Sequence, residues 1–185
     1  MIDESSSLED VCFEVAAALD RFSIQGVLTG GSAATVYAPD AYTSMDADFV
    51  LANSPQRQQV EAAMAEIGYI PSATRGMFES PRTRFTIDFP RAPLAVGGDY
   101  IYETGTLSRG TTRLRILMPT DCVRDRLAHF YYWDDYTALN AAVGVARAHR
   151  KRIDVSKLRK WTERESGPLS QNHQPKFEEF LRRLG

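Results

Sequence analysis

Residues 27–51 read VLTGGSAATVYAPDAYTSMDADFVL, and this stretch decides the fold. It opens apolar at Val27 and Leu28, breaks at Gly30-Gly31-Ser32, and returns as an apolar strand carrying Asp46 and Asp48. Thirteen residues separate Ser32 from Asp46. Side chains at i and i+2 of a strand share a face, about 7 Å apart. Carboxylates that close repel each other, and a divalent cation between them removes the cost. Glycines let backbone N–H groups approach an anion, and a helix opening just after Ser32 adds its positive end. A carboxylate pair facing an anion cradle is what phosphoryl or nucleotidyl transfer requires.

Working outward, residues 24–29 read as a strand, 33–38 as a short helix stopped by Pro39, 40–44 as loop and 45–52 as a second strand. Upstream, SLEDVCFEVAAALDR (7–21) puts Leu8, Val11, Val15, Ala18 and Leu19 on one helical stripe, with Ser6 or Ser7 as the N-cap. Downstream, Asn53-Ser54-Pro55 signals a helix start, and the helix runs to Ile67 before Gly68 ends it. Strands follow at 69–70, 76–79 and 83–89, then a loop-like stretch at 91–98. Weaker strands fall at 100–102, 106–107 and 114–117, with Ser108-Arg109-Gly110 as a hairpin turn.

From Pro119 the pattern becomes helical, to about Tyr132, then 134–149, 154–165 and 175–184, with Thr120 or Asp121 as the first cap and Gly167-Pro168 breaking the last two. The expected fold class is α+β: a mixed β-sheet flanked by helices over residues 1–118, followed by a helical region packed on it over 119–185.

The chain has 185 residues, 43% hydrophobic and 25% charged, enough for one domain with a real core. No apolar run has the length of a membrane span, and the acidic opening MIDESSSLED is unlike a secretory signal. Cys12 and Cys122 lie far apart, which suits unpaired thiols in a reducing cytoplasm. The net charge of −2 conceals an asymmetry: residues 1–20 carry six acids and no base, whereas 147–164 carry eight bases against Asp154 and Glu163. Such a basic segment is either a polyanion-binding patch or a solvated helical face.

A third carboxylate stands in Arg84-Phe85-Thr86-Ile87-Asp88-Phe89. If Ile87 and Phe89 face the core, Asp88 turns to the other side with Thr86, and a strand lying beside 45–52 brings three acids together. Glu79, beside a turn, and Asp99, after Gly97-Gly98, read as loop acids. Carboxylate oxygens alone point to Mg²⁺ or Mn²⁺.

The order Gly-Gly-Ser, thirteen residues, Asp46-Ala47-Asp48-Phe49 and a later lone strand Asp resembles the DNA polymerase β-like nucleotidyltransferase superfamily. Within it the chain is similar to the small bacterial branch of minimal nucleotidyltransferases and AbiEii-type toxins. The match covers residues 28–49 and 84–89, with looser similarity from Thr120 to Glu165. The resemblance implies a nucleotidyltransferase fold, a nucleoside triphosphate (NTP) as substrate, and Asp46, Asp48 and Asp88 as catalytic metal ligands. It implies further that Gly30, Gly31 and Ser32 grip the triphosphate and that Arg126, or else Arg124, reaches the distal phosphates. The NMP goes to a hydroxyl of an RNA or tRNA, a protein or a small molecule such as an aminoglycoside, and pyrophosphate is released. The alternative it implies is a non-catalytic binding or toxin–antitoxin module with an antitoxin partner. No lysine occurs before Lys151, so phosphate contacts in the first half must come from arginine or backbone N–H groups.

His129, His149 and His173 show no metal spacing and read as structural or solvated. Phe130-Tyr131-Tyr132-Trp133 and Trp161 read as core aromatics at a helix–helix contact.

Overall fold

A computed structural model describes residues 2–52, 54–74, 76–167 and 171–185. Asn53 of the helix-start signal and Pro168 of the later break lie outside the described residues.

Helix α1 (Leu8–Arg21) starts where a capping box forms: the Ser7 hydroxyl accepts the Asp10 amide at 3.2 Å, and the Asp10 carboxylate accepts the Ser7 amide at 2.9 Å. Its stripe of Leu8, Val11, Val15, Ala18 and Leu19 is buried as the spacing predicts. The chain then runs through β1 (Gly26–Leu28), α2 (Gly30–Tyr37), β2 (Asp46–Leu51) and α3 (Arg57–Glu66). Helix α3 begins later than Pro55 suggests. Gln56 is its cap, in a reciprocal box with Gln59.

The strands β3 (Ile70–Pro71), β4 (Met77–Glu79), β5 (Thr86–Asp88), β8 (Thr104–Arg109) and β9 (Thr112–Leu117) join β1 and β2 in a seven-stranded sheet of order β3-β4-β5-β2-β1-β9-β8. Pairings β2–β5 and β1–β9 are parallel and the others antiparallel, so the sheet is mixed. The stretch expected as loop at 91–98 instead leads into a small ribbon of β6 (Ala95–Val96) and β7 (Asp99–Tyr100). Two-residue strands are too short for alternation to reveal. The β8–β9 turn sits at Gly110-Thr111, where Gly110 has a positive φ of 58° that favours glycine, so both strands are longer than expected.

Alternation divides the sheet cleanly. Leu28, Ala47, Phe49, Ile87, Leu114 and Ile116 are fully buried on one face, against the core that α1 and α3 cover. The opposite face carries Asp46, Asp48, Val50 and Asp88, and over it stand the residues that follow β5.

The last four helices are α4 (Pro119–Trp133), α5 (Tyr136–Ala148), α6 (Val155–Glu165) and α7 (Gln174–Leu184). Met118 caps α4 with Pro119 at its first position, and Asp135 caps α5 through the amides of Thr137 and Ala138. Helix α2 packs on α4 and α5. The loop that follows α2 also lies close on α5 because Gly144 has no side chain: a Cβ there would lie 2.3 Å from that of Ala41. The Tyr37 hydroxyl donates to the Leu117 carbonyl at 2.7 Å, tying α2 to β9. Among the described residues, no helix is long and apolar enough to cross a membrane.

The aromatic run divides. Phe130 and Tyr131 are buried, with Tyr131 stacked between Trp161 (5.5 Å) and His173 (4.8 Å), whereas Tyr132 and Trp133 are exposed. The basic segment is largely engaged within the molecule. Lys157 pairs with Asp121, Arg159 with Glu178 and Arg164 with Asp99, while Arg147 and Arg150 donate to the carbonyls of Arg183 and Gly185.

Candidate active site

The β1–α2 turn explains why these glycines stand where they do. Helix α2 is assigned from Gly30 rather than after Ser32, and Gly30 takes a positive φ of 64° that turns the corner out of β1. A Cβ on Gly30 would lie 2.3 Å from Asp48 Oδ2. The backbone therefore meets the carboxylate with no space between. Gly30→Ala is expected to destabilise the protein by about 1–3 kcal/mol. Urea unfolding measures this, and an unchanged midpoint would disprove the contact.

Ser32 is fully buried and its hydroxyl is committed: it donates to the Thr29 carbonyl at 2.8 Å and accepts the Asp48 amide at 3.0 Å. It splices the turn to β2 and positions Asp48 rather than facing the cleft. A second chain of bonds fixes Asp46. The Ser44 amide donates to Thr35 Oγ1 at 2.9 Å, and the Ser44 hydroxyl donates to Asp46 Oδ1 at 2.7 Å.

Asp48 lies directly opposite Asp88 across the parallel β2–β5 pair, and Asp46 opposite Thr86. In-register partners point to one face, so the three carboxylates share the open side of the sheet. Asp48 is pushed up to about 7, first by burial and then by the Asp46 charge, with Arg126 opposing. Asp88 is raised by burial, and Asp46 adds to the rise, while the Phe89 amide, donating to Asp88 Oδ1 at 2.8 Å, opposes it. That bond turns Asp88 toward its own strand. Among the described residues, no three acidic, histidine or cysteine side chains converge closely enough to hold an ion as they stand. Asp46 and Asp48 fit a hard divalent cation in donor type and in the mutual repulsion of their carboxylates. Asp88 would join them by leaving the Phe89 amide. Glu79 is exposed at the end of β4, and Asp99 is bound to Arg124 and Arg164, so neither competes for this role.

A cleft of about 460 Å³ opens over the pair, lined by Thr29, Gly30, Gly31, Tyr42, Ser44, Asp46, Asp48, Arg91, Asp125, Arg126, His129 and Asp135 among others. Arg126 enters it from α4 while holding Asp125 at 2.7 Å. Arg124 does not. It is buried on another side of α4, bonded to Asp121 (2.8 Å) and Asp99 (2.6 Å) beside the Trp161 ring. Residues two apart on a helix point about 200° apart, so the two arginines cannot serve one cleft.

The sequence reading has His129 as structural or solvated and does not single out Asp135, yet both line the cleft. His129 lies three residues past Arg126 on the same helical face, a spacing that could have flagged it. Burial, then the Arg126 charge, push its pKa down, so it favours the neutral ring. Arg91 and Tyr42 come from loops whose approach no local pattern announces.

No family model matches the chain, and no curated protein sequence matches it. Solved structures do. An antigenic nucleotidyltransferase-like protein from Paracoccidioides brasiliensis aligns at TM-score 0.59 and 11% identity, covering 98% of this chain and 95% of that one. The solution structure of the antibiotic-resistance factor ANT(2'')-Ia aligns at TM-score 0.52 and 14% identity, covering 87% and 96%. A crystal structure of ANT(2")-Ia with adenylyl-2"-tobramycin aligns at TM-score 0.48 and 15% identity, covering 80% and 91%. At these identities the first two likenesses establish architecture: the chain has the α+β nucleotidyltransferase fold, a mixed sheet flanked by helices.

Proposed function

We propose that this chain is a nucleotidyltransferase that moves an NMP from an NTP to a hydroxyl of an acceptor and releases pyrophosphate. The carrying observation is the Asp46–Asp48 pair, set against the Gly30 backbone, with Asp88 as the in-register partner of Asp48. The order of those residues also supports placing the chain with the small branch of minimal nucleotidyltransferases.

Each group then has a role its position suits. Asp46 and Asp48 would hold Mg²⁺ or Mn²⁺, which supplies charge to stabilise the attacking and leaving oxygens when bound. The Gly30–Gly31 backbone at the start of α2 and the Arg126 guanidinium hold the outgoing phosphates. The acceptor oxygen bonds to the α-phosphorus and the bond to the bridging oxygen breaks. Pyrophosphate leaves with the electron pair, and the hydroxyl proton passes to Asp88, released from its amide. Such transfer relies on positioning and electrostatics, so no Cys, Ser or His nucleophile is needed.

Five of the eight bases in residues 147–164 bond within the molecule, which weakens the case for an RNA acceptor without selecting another. A second reading, a fold that binds nucleotide without turnover, draws on the Asp88 carboxylate held by the Phe89 amide. Incubating the protein with each α-labelled NTP, Mg²⁺ and a small-molecule extract tests both. Transfer of label to a new species, absent in Asp48→Asn, is the expected result. Thermal stabilisation by an NTP with no label transferred would favour the second reading.

A further inference from the structure

The glycine turn has a neighbour to which the proposed reaction gives no role. Tyr42 lies in the loop between α2 and β2 and reaches back over the start of the helix. A Cβ on Gly31 would lie 3.0 Å from Tyr42 Cε1, 3.1 Å from the Tyr42 hydroxyl oxygen and 3.1 Å from Ser44 Oγ. Gly31, unlike Gly30, takes no positive φ, so what requires a glycine there is the tyrosine ring and Ser44 lying where a side chain would go. The ring packs partly against the core, and Tyr42 lines the cleft together with Gly30, Gly31 and Arg126.

Three hydroxyls beside the turn are committed within the protein. Ser32 donates to the Thr29 carbonyl, Thr35 to the Gly31 carbonyl at 3.0 Å, and Ser44 to Asp46 Oδ1. The Tyr42 hydroxyl, by contrast, makes no hydrogen bond among the described residues. Tyr42 is also near enough to Arg126 to act on its guanidinium electrostatically. Arg126 spends Nε and Nη2 on Asp125, which leaves Nη1 unbonded among the described residues. A phenol O–H and a guanidinium N–H beside the first amides of α2 are donors that suit phosphate oxygens. Of the carboxylates in the cleft, Asp125 is bound to Arg126 and Asp135 caps α5, while Asp46 and Asp48 are the ones a cation would cover.

We infer that Tyr42 is a further phosphate-binding residue, its hydroxyl donating to the same outgoing phosphate that Arg126 holds. It supplies a neutral donor in a chain with no lysine before Lys151. The inference rests on the nucleotidyltransferase reading for the identity of that anion, but its binding test does not. Calorimetric titration of inorganic tripolyphosphate with Mg²⁺, and separately of adenosine, into wild type and Tyr42→Phe provides that test. The variant keeps the ring on Gly31 and removes only the oxygen, so its urea midpoint should be unchanged. Tripolyphosphate should bind it about ten-fold more weakly, the scale of one hydrogen bond to a charged group. Adenosine, which carries no phosphate, should behave alike with both proteins. With an NTP as substrate the variant should show a raised KM and a smaller change in kcat. Equal tripolyphosphate affinity in the two proteins, or no binding to wild type, overturns the inference. A parallel loss for adenosine also overturns it, because Tyr42 would then serve the nucleoside. If tripolyphosphate binds through Tyr42 while no NTP is turned over, the catalytic reading fails and the phosphate site stands. Transfer by the variant with an unchanged KM removes Tyr42 from the site and leaves the catalytic reading intact.

Discussion

Asp48→Asn is expected to lower the proposed nucleotidyl transfer by about a thousand-fold or more and to make the metal-free protein more stable. The two effects share one cause. Asp48 is buried beside Asp46 with Gly30 closed against it, so its negative charge is costly in the resting fold and is offset when a cation compensates it.

The sign can be worked through. The Asp48 carboxyl is raised to about 7, above the unfolded value of 3.8. Stability that depends on its proton is therefore complete below about 4 and is lost as pH rises through about 7. At pH 8 the wild type bears the whole penalty, roughly 1–3 kcal/mol after allowance for solvent screening, and the asparagine variant bears none. Thermal unfolding should show the variant above wild type at pH 8, with the gap narrowing toward pH 5. Mg²⁺ should raise the wild-type Tm at pH 8 and leave the variant unmoved. A variant that melts well below wild type at pH 8 would mean that Asp48 is structurally paired, contrary to its surroundings.

Arg124→Leu is expected to lower stability by about 3 kcal/mol, the scale for stripping one partner from a buried ion pair. Arg124 is 2% exposed and joins Asp121 of α4 to Asp99 of the β6–β7 ribbon, where Arg164 of α6 also binds. Removing it leaves Asp121, itself 4% exposed, with Lys157 alone. The ribbon would lose one of its anchors, although Glu165 still accepts the Gly98 amide at 3.1 Å. Arg126→Leu also strips a buried partner, from Asp125, but it should in addition weaken NTP binding at least ten-fold, because Arg126 lines the cleft. Urea unfolding and NTP titration of both variants separate the roles. Equal losses of NTP affinity would contradict the placement of Arg124 away from the cleft.

The contrast between these arginines marks where sequence reading ends. Alternation along MDADFVL was enough to put Asp46 and Asp48 on one face and Ala47 and Phe49 on the other, because a strand permits only two directions. The same alternation in FTIDF turned Asp88 outward, and the parallel register of β5 with β2 then brought it opposite Asp48. Helical stripes were legible for α1 for the same local reason. A helix offers a continuous circle of directions, and which sector of α4 meets the cleft depends on how α4 packs against α2 and α6. Ser32 illustrates a different limit. Its place in the turn was legible, but a hydroxyl rotates to whatever partners surround it, and here these are the Thr29 carbonyl and the Asp48 amide.

The sequence by itself determined the α+β class, the glycine turn and the side of each strand on which the acids fall, since these follow from backbone geometry over a few residues. Only the tertiary structure decided which arginine faces the cleft and that Asp88 rests on the Phe89 amide. Those features arise where segments far apart in the chain meet. Their contacts depend on burial and on the electrostatic surroundings that packing creates, and no local pattern encodes either.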